Sequence, residues 1–415
     1  MKSDKGLLFI ALWVPIVNIV LDMAMGFVTS LKTPIALGRV GLMMAVIVYF
    51  IANFKWATSK LNFILSTYLT MLFIVCLLSS DLQESMVDGF LKTSITMLMV
   101  PIGIRIGLRH KHVLVKPLFW VLVLLLANYA ISQVFKLGVS VYEEDSFYKG
   151  GATASAPIVI VLSILVLFNA FNQRQLPYRK VVIAAVVALS LFVVILSVKR
   201  GAILALGVAG VIYMILAPNK ARSIKISVVT AILFSLIAVQ FSGLIMSRIA
   251  ARTTEANELE NENRYKETLF VIEELNNASI FQILFGNEAF HSQEVFKKYF
   301  GRERQLHVDY NILLHGTGLF GFVLYFAFYY ELFAMAKRAK QRIRKYFNKP
   351  SIVAIKEDFA LVVAVLVMSL IMSISGGLQF VSYRAILFLT IGVYIGQILF
   401  TVQQEHNRIS QTNNI

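Results

Sequence analysis

Apolar stretches of about 17 to 25 residues recur along the whole chain, separated by short polar or basic turns. A helix rises 1.5 Å per residue, so a stretch of that length crosses about 30 Å of hydrocarbon. Twelve windows qualify, near 7–27, 36–54, 61–80, 86–104, 114–134, 153–171, 180–197, 201–217, 226–246, 307–335, 359–376 and 385–401. Asp88 and Lys92 interrupt the fourth, and Lys199–Arg200 divides the seventh from the eighth. The first is too long for the apolar core of a signal peptide and leads directly into further spans, so it reads as retained. The pattern predicts an all-α polytopic membrane protein of about twelve transmembrane helices.

Composition sharpens this reading. Of the 415 residues 58% are hydrophobic and 15% charged, where a soluble domain carries roughly 25% charged residues. A water-soluble enzyme is excluded. The single cysteine, Cys76, lies inside an apolar run, which leaves no disulfide framework, thiolate metal cluster or redox motif.

The net charge of +16 has to be divided by side of the membrane before it says anything about partners. Basic residues collect in cytoplasmic loops. With both termini inside, 23 of the 39 Lys and Arg fall on the cytoplasmic side with only four acids, a net of +19 there and −3 for the rest. The basic run at 337–349 then reads as a stop-transfer and headgroup anchor, not a nucleic-acid surface. This topology predicts a nine-helix membrane region over 1–246, a large extracytoplasmic loop over 247–306, a three-helix membrane region over 307–401 and a cytoplasmic tail over 402–415. The loop, with eight basic and ten acidic residues, is too long for a connector and is where function should gather.

The strongest chemical pattern opens the tenth span. Read as a helix, His307, Asn311 and His315 recur at i, i+4 and i+8, with Gly318 at i+11, so that two imidazoles, a carboxamide and a gap for backbone approach share one face. Lipid penalises such a face, which must look into the bundle or a wet cavity. The eight-residue histidine spacing does not suit zinc, and no metal site is expected. Polar packing at a helix start would produce the same spacing.

Cations on the side that disfavours them form a second group: Arg200 before Gly201 and Ala202, Arg264 in the large loop, Arg384 at the start of the last span, Arg39 near the start of the second, and Lys92 inside the fourth. Each could snorkel to headgroup phosphates. Together they fit an outer-face anion pocket, because the guanidinium fork donates two parallel hydrogen bonds to a phosphate and stays charged. No Walker loop, dinucleotide fingerprint, HExxH or GxSxG motif is present, so nucleotide hydrolysis, redox and serine hydrolase chemistry have no support.

Three marks between Leu191 and Phe326 resemble the bacterial O-antigen polymerase and ligase superfamily. Arg200-Gly201-Ala202 is similar to the family's Ser-Arg-Gly-Ala. Arg264, followed by an amphipathic stretch and Phe285-Gly286, resembles its loop arginine and glycine turn. His307 with Tyr310, Gly318 and Gly321 resembles its His-Asn-x-Tyr pattern and downstream glycines. The chain departs from it in Val308, where the family has Asn, and in lacking the aromatic residue a few positions after the arginine, for which Tyr265 is a substitute.

The resemblance implies a membrane-embedded, metal-independent glycosyltransferase, similar to the GT-C type, with no cofactor. Its donor would be an undecaprenyl-pyrophosphate-linked oligosaccharide at the outer face of the bacterial inner membrane. His307 would act as general base, with Arg200 and Arg264 on the departing pyrophosphate; Arg39, Lys92, Arg384, Tyr310, Asn311 and His315 would bind substrate. Asp309 would bind sugar hydroxyls or cap the helix, and His291 and the YEEDSFYKGG loop would contact sugars. Loose motif matches favour a polymerase of O-antigen or capsular repeat units, working with a flippase and a chain-length regulator, over a ligase transferring polymer to the lipopolysaccharide core. A flippase or transporter is the rival from another class, but the large loop breaks any six-plus-six symmetry.

Overall fold

The computed structural model describes residues 2–54, 58–137, 150–152, 156–197, 200–221, 224–225, 261–287, 306–343, 347–374, 380–412, Gly376 and a few isolated positions. The described residues form helices and no strand. In chain order these are α1 (Lys2–Phe27), α2 (Lys32–Asn53), α3 (Lys60–Leu77), α4 (Leu82–Gly107), α5 (Val115–Phe135), α6 (Ala156–Asn172), α7 (Lys180–Leu196), α8 (Arg200–Leu216), α9 (Asn261–Asn276), α10 (Ile280–Phe285), α11 (Asp309–Gln341), α12 (Lys349–Ile374) and α13 (Val381–Thr412). Eight of them, α1 to α5 and α11 to α13, are long and apolar enough to cross a membrane, and α6, α7 and α8 are shorter apolar helices. Eleven of the twelve sequence windows thus coincide with helices; most of the ninth, 226–246, lies outside the described residues.

Helix α13 forms the centre. It packs along α4 through two facing Gly-x-x-x-Gly pairs, Gly103/Gly107 and Gly392/Gly396; a methyl group on Gly103 would stand 2.5 Å from the Leu389 carbonyl oxygen. Small residues at such a crossing let helix backbones meet directly, which is where apolar helices gain dispersion energy when lipid removes the hydrophobic drive. In α4 the interruption at Asp88 becomes a π-helical turn over Ser85–Leu91, and Lys92 pairs with Asp88 at 2.5 Å.

A buried polar knot ties α6, α8 and α12 together. Tyr213 donates to Glu357, Asn172 donates to the same carboxylate at 3.3 Å, and Gln173 donates to Asp358 at 2.6 Å. Glu357 and Asp358 are buried among these partners.

Candidate active site at the start of α11

The segment that carries the histidines is not helical throughout. Val308 is extended (φ −85°, ψ 120°) and α11 begins only at Asp309. His307 therefore precedes the helix, and the expected i, i+4, i+8 stripe is reduced to Asn311 and His315. What positions His307 is instead a carboxylate from the large loop. Glu267 of α9, fully buried, accepts the His307 backbone N–H at 3.1 Å, and its other oxygen lies 3.6 Å from His307 Nδ1. The His307 side chain is 39% exposed, so the backbone is anchored by the carboxylate while the imidazole stays accessible.

Next to this contact, Asn311 donates to Thr268 Oγ1 at 3.0 Å, which fixes α9 to the first turn of α11 through two consecutive residues. Gly376, between α12 and α13, packs on the carbonyl of His307 with φ +87°; a side chain there would collide with that oxygen.

One turn into the bundle, Asp309 and Arg384 form an ion pair whose side chains are 0% and 2% exposed. Arg384 also donates to Tyr325 at 3.3 Å and to Ser373 at 3.2 Å. A buried charge in apolar surroundings persists only when paired and hydrogen-bonded, and these contacts meet that condition. Asp309 is not the helix cap, since the capping position is Val308 and has no side-chain cap. Tyr310 donates to the Leu370 carbonyl at 2.6 Å, tying the same turn to α12.

The polar end of α11 stops at a kink. Gly318 adopts φ 60°, ψ −168° inside the helix, a region essentially restricted to glycine. The break stops the helix from using the His315 carbonyl, which instead accepts the Asn287 N–H at 2.7 Å. Gly286 (φ +93°) and Gly318 let the C-terminus of α10 lie directly on this kink, and a methyl on Gly318 would stand 2.5 Å from the Leu284 backbone. The gap for backbone approach expected at Gly318 is thus occupied by α10.

A groove of about 880 Å³ opens beside the kink, within the range of about 300–1,000 Å³ of small-molecule sites. One wall is a face of α3 from Phe63 to Leu78, about 22 Å at 1.5 Å per residue, with Ser66 and Thr70 among its lining. The other comes from Phe281 and Phe285 of α10 and Phe320 of α11, and Gln282 and Asn287 supply amides at one end. Phe63, Leu78, Phe281 and Phe320 are exposed, so the groove is open to the outside of the bundle along an apolar wall.

Two of the expected anion-binding cations are engaged elsewhere. Arg39 is paired with Asp22 at 2.5 Å between α1 and α2, and Lys92 with Asp88 within α4. Arg200 is the first residue of α8 and Arg264 lies on α9 one turn before Glu267, but both side chains fall outside what is described. His291 and residues 138–149 of the shorter polar loop also lie outside the described residues.

Sequence reasoning missed Glu267 and Thr268. The only available signal was a carboxylate one turn after Arg264 in a stretch already read as helical. Comparison of the chain with family models and with curated proteins gives no match in either.

Proposed function

We propose that this membrane-embedded chain is a glycosyltransferase that polymerises oligosaccharide repeat units linked to a polyprenyl pyrophosphate, working at the outer face of the cytoplasmic membrane. The observation that carries the reading is the Glu267–His307 pair at the start of α11, and the apolar groove along α3, farther along the same helix, is assigned to the lipid part of the donor. A carboxylate facing Nδ1 at 3.6 Å would, on closing to hydrogen-bond distance when substrate binds, favour the tautomer whose Nε2 lone pair can accept a proton. The groove suits a hydrocarbon chain held from the bilayer, which would bring its polar head to the amide end near Asn287.

In this reaction an acceptor sugar hydroxyl attacks the anomeric carbon of the donor. The hydroxyl proton passes to the His307 imidazole, the anomeric C–O bond breaks, and the electron pair leaves on the polyprenyl pyrophosphate. Arg200 and Arg264 are assigned to that leaving group, whose developing charge guanidinium groups stabilise. No nucleotide is required, because the pyrophosphate bond to the sugar supplies the driving force.

The test is conversion of purified lipid-linked repeat units to longer chains by the purified protein without ATP or added metal. His307→Ala should abolish elongation in a protein that still unfolds at the wild-type temperature. Absence of elongation by the wild type, or full activity in the variant, would remove the assignment.

A further inference from the structure

A second pocket lies at the start of α3, with a lining that shares no residue with the groove described above. It has a volume of about 200 Å³ and is walled by Phe50 and Phe54 at the end of α2, Ser59 and Asn62 at the start of α3, Arg105 in the last turn of α4, and Met335 of α11. The Arg105 guanidinium lies 5.3 Å from the Phe54 ring centroid and that of Arg109 lies 5.8 Å from the same centroid. Arg105, in the last turn of α4, and Arg109, in the turn that follows it, thus approach the same ring, and Arg105 is the one that lines the pocket.

Arg105 has no carboxylate partner among the described residues, and its Nε is buried without a hydrogen-bond acceptor. The nearby buried carboxylate, Glu331, is taken by Arg338 and faces Lys60 at 3.8 Å. The positive end of the α3 dipole faces the same space, with Ser59 capping the helix by accepting the Asn62 N–H at 3.1 Å. The opposite dipole at the end of α4 accounts for a basic residue in that last turn. It does not account for a guanidinium packed over Phe54 with a buried, unsatisfied Nε–H among the described residues.

We propose that this pocket binds the phosphate of an anionic phospholipid headgroup. A phosphate diester supplies what the site lacks: oxygen acceptors for the Arg105 fork, a negative charge beside that guanidinium and at a helix N-terminus, and glycerol and acyl carbons to lie against Phe50 and Phe54. Basic pockets between spans at the membrane surface are suited to such headgroups. A free phosphate would satisfy the charges but leave the apolar wall uncovered, which favours the lipid. The site is separate from the proposed polymerisation chemistry and stands whether or not that reading holds.

The experiment uses protein in bilayers of equal phosphatidylglycerol and phosphatidylcholine, with the retained lipids counted by native mass spectrometry. Wild type should retain phosphatidylglycerol over phosphatidylcholine by about fivefold, the ratio given by about 1 kcal/mol of preference. Arg105→Gln should bring the ratio near one, and Arg105→Lys, which keeps the charge but loses the fork, should fall between them. Unfolding in phosphatidylcholine alone checks that each variant is folded. Lys111→Gln, which removes a charge from the same turn outside the pocket, should leave the ratio unchanged. A wild-type ratio near one, or equal losses in Arg105→Gln and Lys111→Gln, overturns the proposal. So does stabilisation by millimolar inorganic phosphate, in phosphatidylcholine alone, as large as that given by phosphatidylglycerol.

Discussion

Glu267 and His307 are forty residues apart in the chain, yet the Glu267 carboxylate accepts the His307 backbone N–H and faces its Nδ1 with the second oxygen. This couples the loop helix α9 to the entry of α11. Glu267→Gln keeps the shape and removes the charge. Elongation should fall by roughly tenfold to a hundredfold with KM for the lipid-linked substrate little changed, since a positioned base contributes about 10²–10⁴. Glu267→Asp should recover part of the rate. Unchanged kcat in Glu267→Gln would mean the carboxylate is only a backbone clamp.

The Asp309–Arg384 pair is expected to matter for stability ahead of chemistry. With both side chains buried, Asp309→Asn or Arg384→Met alone strands a charge and should cost about 3–5 kcal/mol. The double variant should recover much of that loss. Unfolding temperatures of the four proteins in one detergent give the coupling directly; additive losses would show that the pair does not act as a unit.

Much of this architecture was legible because lipid leaves few solutions: an apolar stretch of the right length must be a helix. The polar ends were less legible, and His307 shows why. Its spacing to Asn311 and His315 is helical, but Gly376 and Glu267, remote in sequence, fix its backbone outside the helix. The cations at 39, 92 and 384 were recognised as unusual; Asp88 stands four residues before Lys92 and was readable as its partner, whereas Asp22 for Arg39 and Asp309 for Arg384 could be assigned only by packing. The Gly103/Gly107 and Gly392/Gly396 seam was readable in principle from its four-residue spacing, but nothing in the sequence says that the two pairs face each other.

Gly318→Ala should uncouple α10 from α11. The residue would sit in a backbone region that costs about 1–3 kcal/mol for a non-glycine residue, with its methyl against the Leu284 backbone. Amide exchange should accelerate in α10 and at Asn287, whose N–H would lose the His315 carbonyl, while α12 and α13 should be little affected. Unchanged exchange at Asn287 would show that the kink does not depend on glycine.

Between α4 and α5, burial pushes the His112 imidazole down to about 4, with Lys111 adding to the effect, and burial with Arg109 lowers His110. A folded-state value below the unfolded value of about 6.5 means that the unfolded chain binds the proton more readily. This contribution is therefore full above about pH 6.5 and is lost as pH falls toward 4, by up to about 3 kcal/mol for His112. His112→Asn should flatten the acid side of the unfolding-temperature profile. Asn also tolerates the positive φ of 54° at this position. A profile as steep as wild type would place the acid sensitivity elsewhere.

The groove along α3 gives the most direct link between fold and proposed substrate. Ile74 and Phe281 line it from opposite walls, so a tryptophan at either position takes up space that a lipid chain needs. Ile74→Trp and Phe281→Trp should each reduce elongation kcat/KM by about tenfold or more, a loss of at least about 1.4 kcal/mol. The loss should be larger for a full-length polyprenyl donor than for a short-chain analogue, which enters less of the groove. Val134→Trp, on an exposed position of α5 away from the groove, controls for added bulk at the lipid surface. If both groove variants elongate as fast as this control, the chain of the donor lies elsewhere and the α3 face meets only bulk lipid.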